Sequence, residues 1–144
     1  MRASILIGIP LVYVAGILPS HAADIYREPW HWSTTIPAAV LLPNPRPIIR
    51  DSRAFDRFHF GEHTTMSDVV LALGAPDGFA PQYPVTHADG VPVGHVHAGP
   101  EAGTFRYVLR DSGEFWIVVS DFRTVTAVIR YRRQGSSEVI YAGK

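Results

Sequence analysis

Two histidines and a carboxylate lie close together in the segment HVHAGPE, residues 95–101. In an extended strand, residues two positions apart point to the same side and are separated by about 6.6 to 6.8 Å. His95 and His97 could both reach one ion, with Glu101 as a third ligand, because imidazole and carboxylate groups both bind Zn²⁺. His63 is a candidate fourth ligand, as are His59 and His87. The spacing therefore raises the hypothesis of a metal site.

An exposed polar loop is the alternative interpretation of this segment. Pro92 and Gly94 weaken any strand that carries the two histidines, because proline donates no ladder hydrogen bond and glycine has no side chain to pack. We therefore expect residues 78–103 to form a long loop that carries exposed histidines.

The turn that precedes this segment predicts a register. Asp89 and Gly90 are typical of a two-residue hairpin turn, in which Ala88 pairs with Val91. His87 would then lie on the opposite face from the two later histidines, and a slip of one residue would reverse this.

The first residues have the organisation of a secretory signal. Arg2 gives a positive start, residues 5–18 are apolar, and small residues at Ala22 and Ala23 allow cleavage. The apolar run contains a proline and is shorter than the about 20 residues of a spanning helix. We therefore expect a signal peptide over residues 1–22 rather than a membrane anchor, and a soluble periplasmic or secreted protein without a transmembrane segment.

Composition excludes several classes of function. The chain has no cysteine, which rules out disulfides, thiolate chemistry and a cysteine-linked lipid. Removal of the signal takes one of 13 basic residues and none of 13 acidic residues, so the net charge is close to neutral. This balance gives no electrostatic argument for a nucleic acid partner. A mature chain of about 120 residues supports one domain with one modest core.

Residues 23–58 are predicted to form an extended arm. Five prolines between positions 29 and 47 interrupt helices and remove ladder donors, and the run PNPRP at 43–47 favours a stiff connector. Trp30 and Trp32 would share one face of an extended segment. We expect them to anchor the arm on the domain; an aromatic pair that contacts glycan or a partner is the alternative.

The segment TTMSDVVLALGAPDG, residues 64–78, predicts a short helix. Thr65 and Asp68 have the spacing of a capping box, and Gly74 with Pro76 marks the end. One face is apolar and must pack on something, because so short a helix is marginal alone; its residues are Met66, Val69, Val70 and Leu73.

Residues 59–144 are therefore predicted to be an α+β domain, with one short helix packed on an antiparallel three- to four-stranded meander. The strands are expected at 104–110, 114–120, 123–132 and 137–141, from alternating apolar and polar residues. With Ser112 and Gly113 as a two-residue loop, Leu109 would face Trp116 on the side that receives the helix. The opposite face would carry a set of arginines, namely Arg106, Arg110, Arg130 and Arg132.

The order of these elements resembles the SmpA/OmlA type of small extracytoplasmic domain, found in an outer-membrane assembly lipoprotein and in secreted beta-lactamase inhibitor proteins. The resemblance covers about residues 60–132. The matching residues are Met66, Ser67, Asp68, Val69, Val70, Leu73, Gly74, Pro76 and Asp77, followed by Tyr107 and the third strand. The resemblance implies a small binding or scaffold domain. The chain departs from it by lacking the lipidated cysteine and by its long 78–103 segment.

No nucleophile elbow, P-loop or dinucleotide glycine pattern occurs in the sequence. The sequence predicts a non-catalytic exported domain that binds a protein or an envelope component without a cofactor. Its candidate binding residues are Trp30, Trp32, Arg106, Arg110, Arg130 and Arg132. The alternative is a metal-binding protein or metal-dependent hydrolase that uses His95, His97 and Glu101, with Zn²⁺ or another divalent ion.

Overall fold

The computed structural model describes residues 4–6, 30–40, 49–87, 92–111, 113–132 and 137–143, of which 4–6, 87, 92 and 93 are described by their backbone. Most of the predicted signal peptide and the whole PNPRP run lie outside the described residues.

The described part contains two α-helices, a short 3-10 helix at Ala38–Val40, and eight strands. In chain order these are β1 (Ser4–Leu6), α1 (Ser52–Arg57), α2 (Met66–Leu73), β2 (Gly78–Ala80), β3 (Gln82–His87), β4 (Pro92–His97), β5 (Gly103–Val108), β6 (Glu114–Val119), β7 (Val125–Tyr131) and β8 (Ser137–Ala142). The strands form a five-stranded sheet of order β2-β5-β6-β7-β8 and a three-stranded sheet of order β1-β3-β4. The fold is α+β, with more strands than the three or four predicted.

Helix α2 forms where the capping signals predicted it. The Thr65 hydroxyl accepts a hydrogen bond from the Asp68 amide at 3.2 Å, and the Asp68 carboxylate accepts one from the Thr65 amide at 3.0 Å. Gly74 ends the helix with a φ of 90°, which favours glycine. The four apolar residues predicted for one face are all buried.

Helix α1 lies in the segment that was expected to be extended. No proline occurs between residues 48 and 58, and the Asp51 side chain caps the helix by accepting from the Arg53 amide at 3.0 Å. Phe55 is 1% exposed, and its ring centroid lies 5.0 Å from that of Tyr107 and 4.9 Å from that of Phe115. Part of the predicted arm therefore belongs to the core.

Residues 78–103, predicted as a loop, contain the three strands β2, β3 and β4. Gln82 pairs with His97 and Val85 with Gly94, as the predicted register requires, but nearer the turn Thr86 pairs with Pro92 rather than with Val93. The predicted turn residues Asp89 and Gly90 lie outside the described residues. The register then shifts after Val85, where Pro92 begins β4. Proline is tolerated at the start of a strand or at an irregularity, so it did not prevent this pairing.

The register of β5 and β6 differs from the prediction. Trp116 pairs with Arg106 rather than with Leu109, because the connection spans residues 109–113 and is closed by a 2.8 Å hydrogen bond from the Leu109 amide to the Gly113 carbonyl. The register therefore differs from the predicted one by three positions. Because neighbouring side chains of a strand point to opposite faces, an odd shift moves the side chains of β5 to the opposite face relative to those of β6.

The five-stranded sheet is covered on both faces. The helix side holds the larger apolar cluster, which includes Phe55, Met66, Val70, Phe105, Tyr107, Phe115, Ile117 and Val128. The β3–β4 side holds a second cluster, which includes Tyr83, Val85, Val96, Val118, Ala127 and Ile129, with Trp116 and Tyr131 packed against it. The sequence places Leu109 and Trp116 on one face, but in the structure Leu109 belongs to the first cluster and Trp116 packs against the second.

Candidate functional site

His95 is buried inside the fold and contacts other side chains there. It is 3% exposed, its Nδ1 lies 3.1 Å from the Gln82 side-chain nitrogen, and its ring centroid lies 4.6 Å from that of Trp30. The Gln82 side-chain oxygen accepts a hydrogen bond from the His31 amide at 2.8 Å. His95 is thus part of the contact between the N-terminal arm and the β3–β4 hairpin.

The other proposed metal ligands lie in different environments. His97 and Glu101 are exposed, and so are His59 and His63 beside α2, while the side chain of His87 lies outside the described residues. Across the described ranges, no group of three or more histidine, aspartate or glutamate side chains is placed to hold an ion. The structure therefore does not bring His95, His97 and Glu101 together.

The predicted aromatic pair of the arm packs on the sheet. Trp30 and Trp32 stack with their ring centroids 5.1 Å apart, and the centroid of Trp116 lies 4.8 Å from Trp30 and 5.2 Å from Trp32. Tyr131 extends the cluster, 4.4 Å from Trp116. The indoles thus anchor the arm, as predicted.

Arg106 supports this aromatic cluster. Its Nε donates to Glu114 at 2.5 Å, and the Trp116 indole donates to the same carboxylate oxygen at 3.1 Å. The Arg106 guanidinium also lies 5.3 Å from the centre of the Trp32 ring, a cation–π arrangement. Trp32 therefore contacts both the Trp30 ring and the Arg106 guanidinium.

The four arginines predicted to share one sheet face do not form a patch. Arg130 lies on the helix side, where it pairs with Asp56 and lies over the Phe115 ring at 5.4 Å. Arg132 pairs with Glu138 at 2.7 Å, and Arg110 is exposed in the turn after β5. The prediction was wrong because the odd register shift places Arg106 and Arg130 on opposite faces.

An ion pair that the sequence did not reveal connects the segment before α1 to the segment between α2 and β2. Arg50 donates to both carboxylate oxygens of Asp77, at 2.5 and 3.0 Å, and to the Val108 carbonyl at 2.8 Å. Asp77 also accepts from the Val108 amide at 2.7 Å. The partners are distant in sequence, so no local pattern identifies the pair.

A groove of about 450 Å³ opens beside the turn that follows β4. Phe79, Pro81 and Phe122 form its apolar walls, and His97 and Glu101 line it as polar residues. Among the described non-glycine residues, positive φ angles occur at Glu101, 58°, and at Phe122, 65°. An aromatic residue rarely adopts this conformation, so the surrounding contacts must maintain it.

Asp121 holds the turn that carries Phe122. Its carboxylate accepts from the amides of Arg123 at 2.9 Å and Thr124 at 2.7 Å. The hydrogen bond from the Thr124 amide contributes most to lowering the pKa of Asp121, and the bonds from the Arg123 amide and the Thr124 hydroxyl lower it further. The Phe122 ring centroid lies 5.6 Å from that of Phe79. The groove wall is thus built from a hydrogen-bonded turn and an aromatic contact.

None of the helices in the described ranges has the length and apolar composition needed to cross a membrane. No protein family model matches the chain, and no curated protein or solved structure shows a significant match to it.

Proposed function

We propose that the chain is an exported, non-catalytic binding or scaffold domain for a protein or another component of the cell envelope. The groove beside the β4 turn carries this proposal. It is an open groove with aromatic walls at Phe79 and Phe122 and polar groups at His97 and Glu101, and apolar walls with a few polar groups are typical of binding sites. Backbone strain at Phe122 and Glu101 is a further feature that clusters at functional sites.

Four arginines of the described residues are used in ion pairs, which leaves the exposed polar residues of the groove as candidates for contact with a ligand. Arginines are tied to carboxylates in pairs that join separate elements of the fold, namely Arg50–Asp77, Arg106–Glu114, Arg130–Asp56 and Arg132–Glu138. These groups have structural partners, whereas the groove residues His97 and Glu101 are exposed.

The resemblance to the SmpA/OmlA type of domain stays a prediction. The capped helix α2, its L-G-x-P-D end and the later antiparallel strands support it, and the β3–β4 hairpin lies between them in the chain. An extracytoplasmic scaffold function is what the resemblance implies for this chain.

Photocrosslinking in the producing cell tests the proposal. A benzoylphenylalanine residue in place of His97 should give an adduct of defined mass, whereas the same residue in place of the exposed Arg53 on α1 should not. A side chain added at Gly99 would begin in open space, with no other atom within 4 Å of its Cβ, so Gly99→Trp should obstruct the groove without disturbing the core. Gly99→Ala is the matched control.

We expect Gly99→Trp to remove the His97 adduct and Gly99→Ala to retain it. Circular dichroism and thermal unfolding of both variants should match the parent protein. Equal adducts at His97 and Arg53, or an adduct that survives Gly99→Trp, would argue against the groove as the binding surface.

A further inference from the structure

Part of the predicted signal peptide occupies the edge of β3. Strand β1 is antiparallel to β3, with Ser4 opposite His87, Ile5 opposite Thr86 and Leu6 opposite Val85. The other edge of β3 pairs with β4. If residues 1–22 are removed, as the sequence predicts, the outer edge of β3 loses this strand and its backbone groups lose their partners.

The described core residues lie outside the predicted signal peptide. The described residues of the two apolar clusters and of the side chains packed against them lie between Ile36 and Tyr141. These described cluster residues all remain in the chain after removal of the signal. The mature chain should fold with an open edge on β3.

This edge lacks the charges that usually protect an exposed strand. The residues of β3 that pair with β1, Val85–His87, include no lysine, arginine, aspartate, glutamate or proline, although such residues commonly prevent edge-to-edge pairing; Pro84 lies just before them. By contrast, Ser33 covers the outer edge of β2 through two backbone hydrogen bonds with Phe79, at 2.8 and 2.9 Å. Strand β8 carries Glu138, paired with Arg132.

Thr86 gives the edge a chemical preference. Its side chain is fully buried with β1 in place, and its hydroxyl has no hydrogen-bond partner among the described residues. The residue opposite is Ile5, which has no polar side-chain atom. Directly opposed threonine or serine residues can form a hydrogen bond across two antiparallel strands, so a hydroxyl-bearing residue at this position would satisfy Thr86.

We propose that the mature protein binds an extended, uncharged segment of a partner protein as an added antiparallel strand on β3. The segment pairs with Val85, Thr86 and His87 and places serine or threonine opposite Thr86. Main-chain hydrogen bonds supply affinity and alternate side chains supply specificity in this mode of recognition. In the uncleaved chain, Ser4–Leu6 blocks the site. The inference rests on the proposed binding function but uses a surface separate from the groove.

The test uses the chain from Ala23 to Lys144 and a fluorescent peptide with the sequence of residues 2–9, RASILIGI. Fluorescence anisotropy measures affinity, and amide hydrogen exchange locates the peptide. Two further peptides carry one N-methyl group, either at the residue corresponding to Ile5 or at the one corresponding to Leu6. Neighbouring amides of a strand point to opposite sides, so one of these groups faces β3 and the other does not.

We expect saturable binding and slower exchange at Val85–His87. One methylated peptide should lose at least about tenfold in affinity, since a main-chain bond is lost and a methyl group intrudes, while the other stays within about twofold. Equal binding of the two methylated peptides would indicate apolar adhesion and overturn the proposal. Absence of saturable binding, or protection elsewhere in the chain, would also overturn it.

The register is tested with a peptide in which Ile5 is replaced by threonine. It should bind the parent protein about fivefold more tightly than RASILIGI, because it completes a buried hydrogen bond, and this preference should disappear in Thr86→Val. A preference that persists in Thr86→Val, or that is absent in the parent protein, would contradict the assigned register.

A second copy of the chain is the competing occupant. Analytical ultracentrifugation of the mature protein alone should show a monomer. A dimer in which the Val85–His87 amides exchange slowly would overturn the proposal, because a second copy of the chain, and not a partner protein, would then occupy the edge of β3. Because Gly99→Trp alters the groove and not β3, this variant should bind the peptide normally, so failure of the groove experiment and failure of strand addition are distinguishable.

Discussion

The Gln82 side chain donates a hydrogen bond to Nδ1 of His95 over a distance of 3.1 Å, in the buried contact between the N-terminal arm and the β3–β4 hairpin. The other end of the same amide accepts from the His31 backbone at 2.8 Å. An amide whose oxygen accepts has its nitrogen available to donate, so Nδ1 of His95 acts as the acceptor. The histidine that its spacing nominated as a metal ligand therefore helps to hold the arm.

The two histidines of HVHAGPE should differ strongly in their effect on stability. His95→Ala removes a buried ring beside Trp30 and leaves the Gln82 amide without this acceptor, so we expect a loss of about 2 kcal/mol or more in the free energy of unfolding. His97→Ala changes an exposed side chain and should stay within about 0.5 kcal/mol. Urea denaturation of both variants measures the difference, and similar losses would contradict the assigned environments.

Removal of one arm indole should destabilise the whole domain. Trp32 contacts Trp30, Trp116 and the Arg106 guanidinium, so Trp32→Ala should lower the free energy of unfolding by about 1 to 3 kcal/mol. Leu71→Ala is the control, since Leu71 is 65% exposed. Thermal unfolding compares the two. An unchanged midpoint for Trp32→Ala would show that the indole does not anchor the arm.

The ion pair of Asp77 should matter more than a pair on the surface. Asp77→Ala leaves Arg50 and the Val108 amide without the carboxylate that joins them, and we expect a loss of about 1 to 3 kcal/mol. Glu138→Ala breaks the pair with Arg132, in which both side chains are nearly half exposed, and should cost less than about 1 kcal/mol. Equal losses in chemical denaturation would not fit the hydrogen-bond network.

Stability should fall at alkaline pH, in part through Tyr83. Burial, with a smaller contribution from Asp121, raises the pKa of Tyr83 to about 12, whereas the pKa of tyrosine in an unfolded chain is about 10. The stabilising contribution is complete below pH about 10 and is lost as the pH rises through about 12. Unfolding free energies measured across this window should fall less steeply in Tyr83→Phe than in the parent protein, and identical slopes would contradict the assignment.

Local chemistry in the sequence determined helix α2. A threonine cap, an aspartate three residues later, a glycine stop and a proline fix both ends through interactions within one short segment. The alternation of apolar residues likewise predicted strands in the C-terminal half, and the predicted hairpin register agrees with the β3–β4 pairs from Gln82 to Val85 but not with the pair of Thr86. These features depend on neighbours in the chain, which is why sequence patterns identify them.

Tertiary structure decided which side chains meet. The five-residue connection between β5 and β6 moved the register by an odd number, so Arg106 joined the tryptophan cluster and Arg130 the helix side. Period-two patterns specify alternation but not the offset between two strands. The burial of His95 beside Trp30 brings together two residues more than 60 positions apart in the chain. Residue types thus predicted elements, whereas long-range packing determined the environment and role of each candidate site residue.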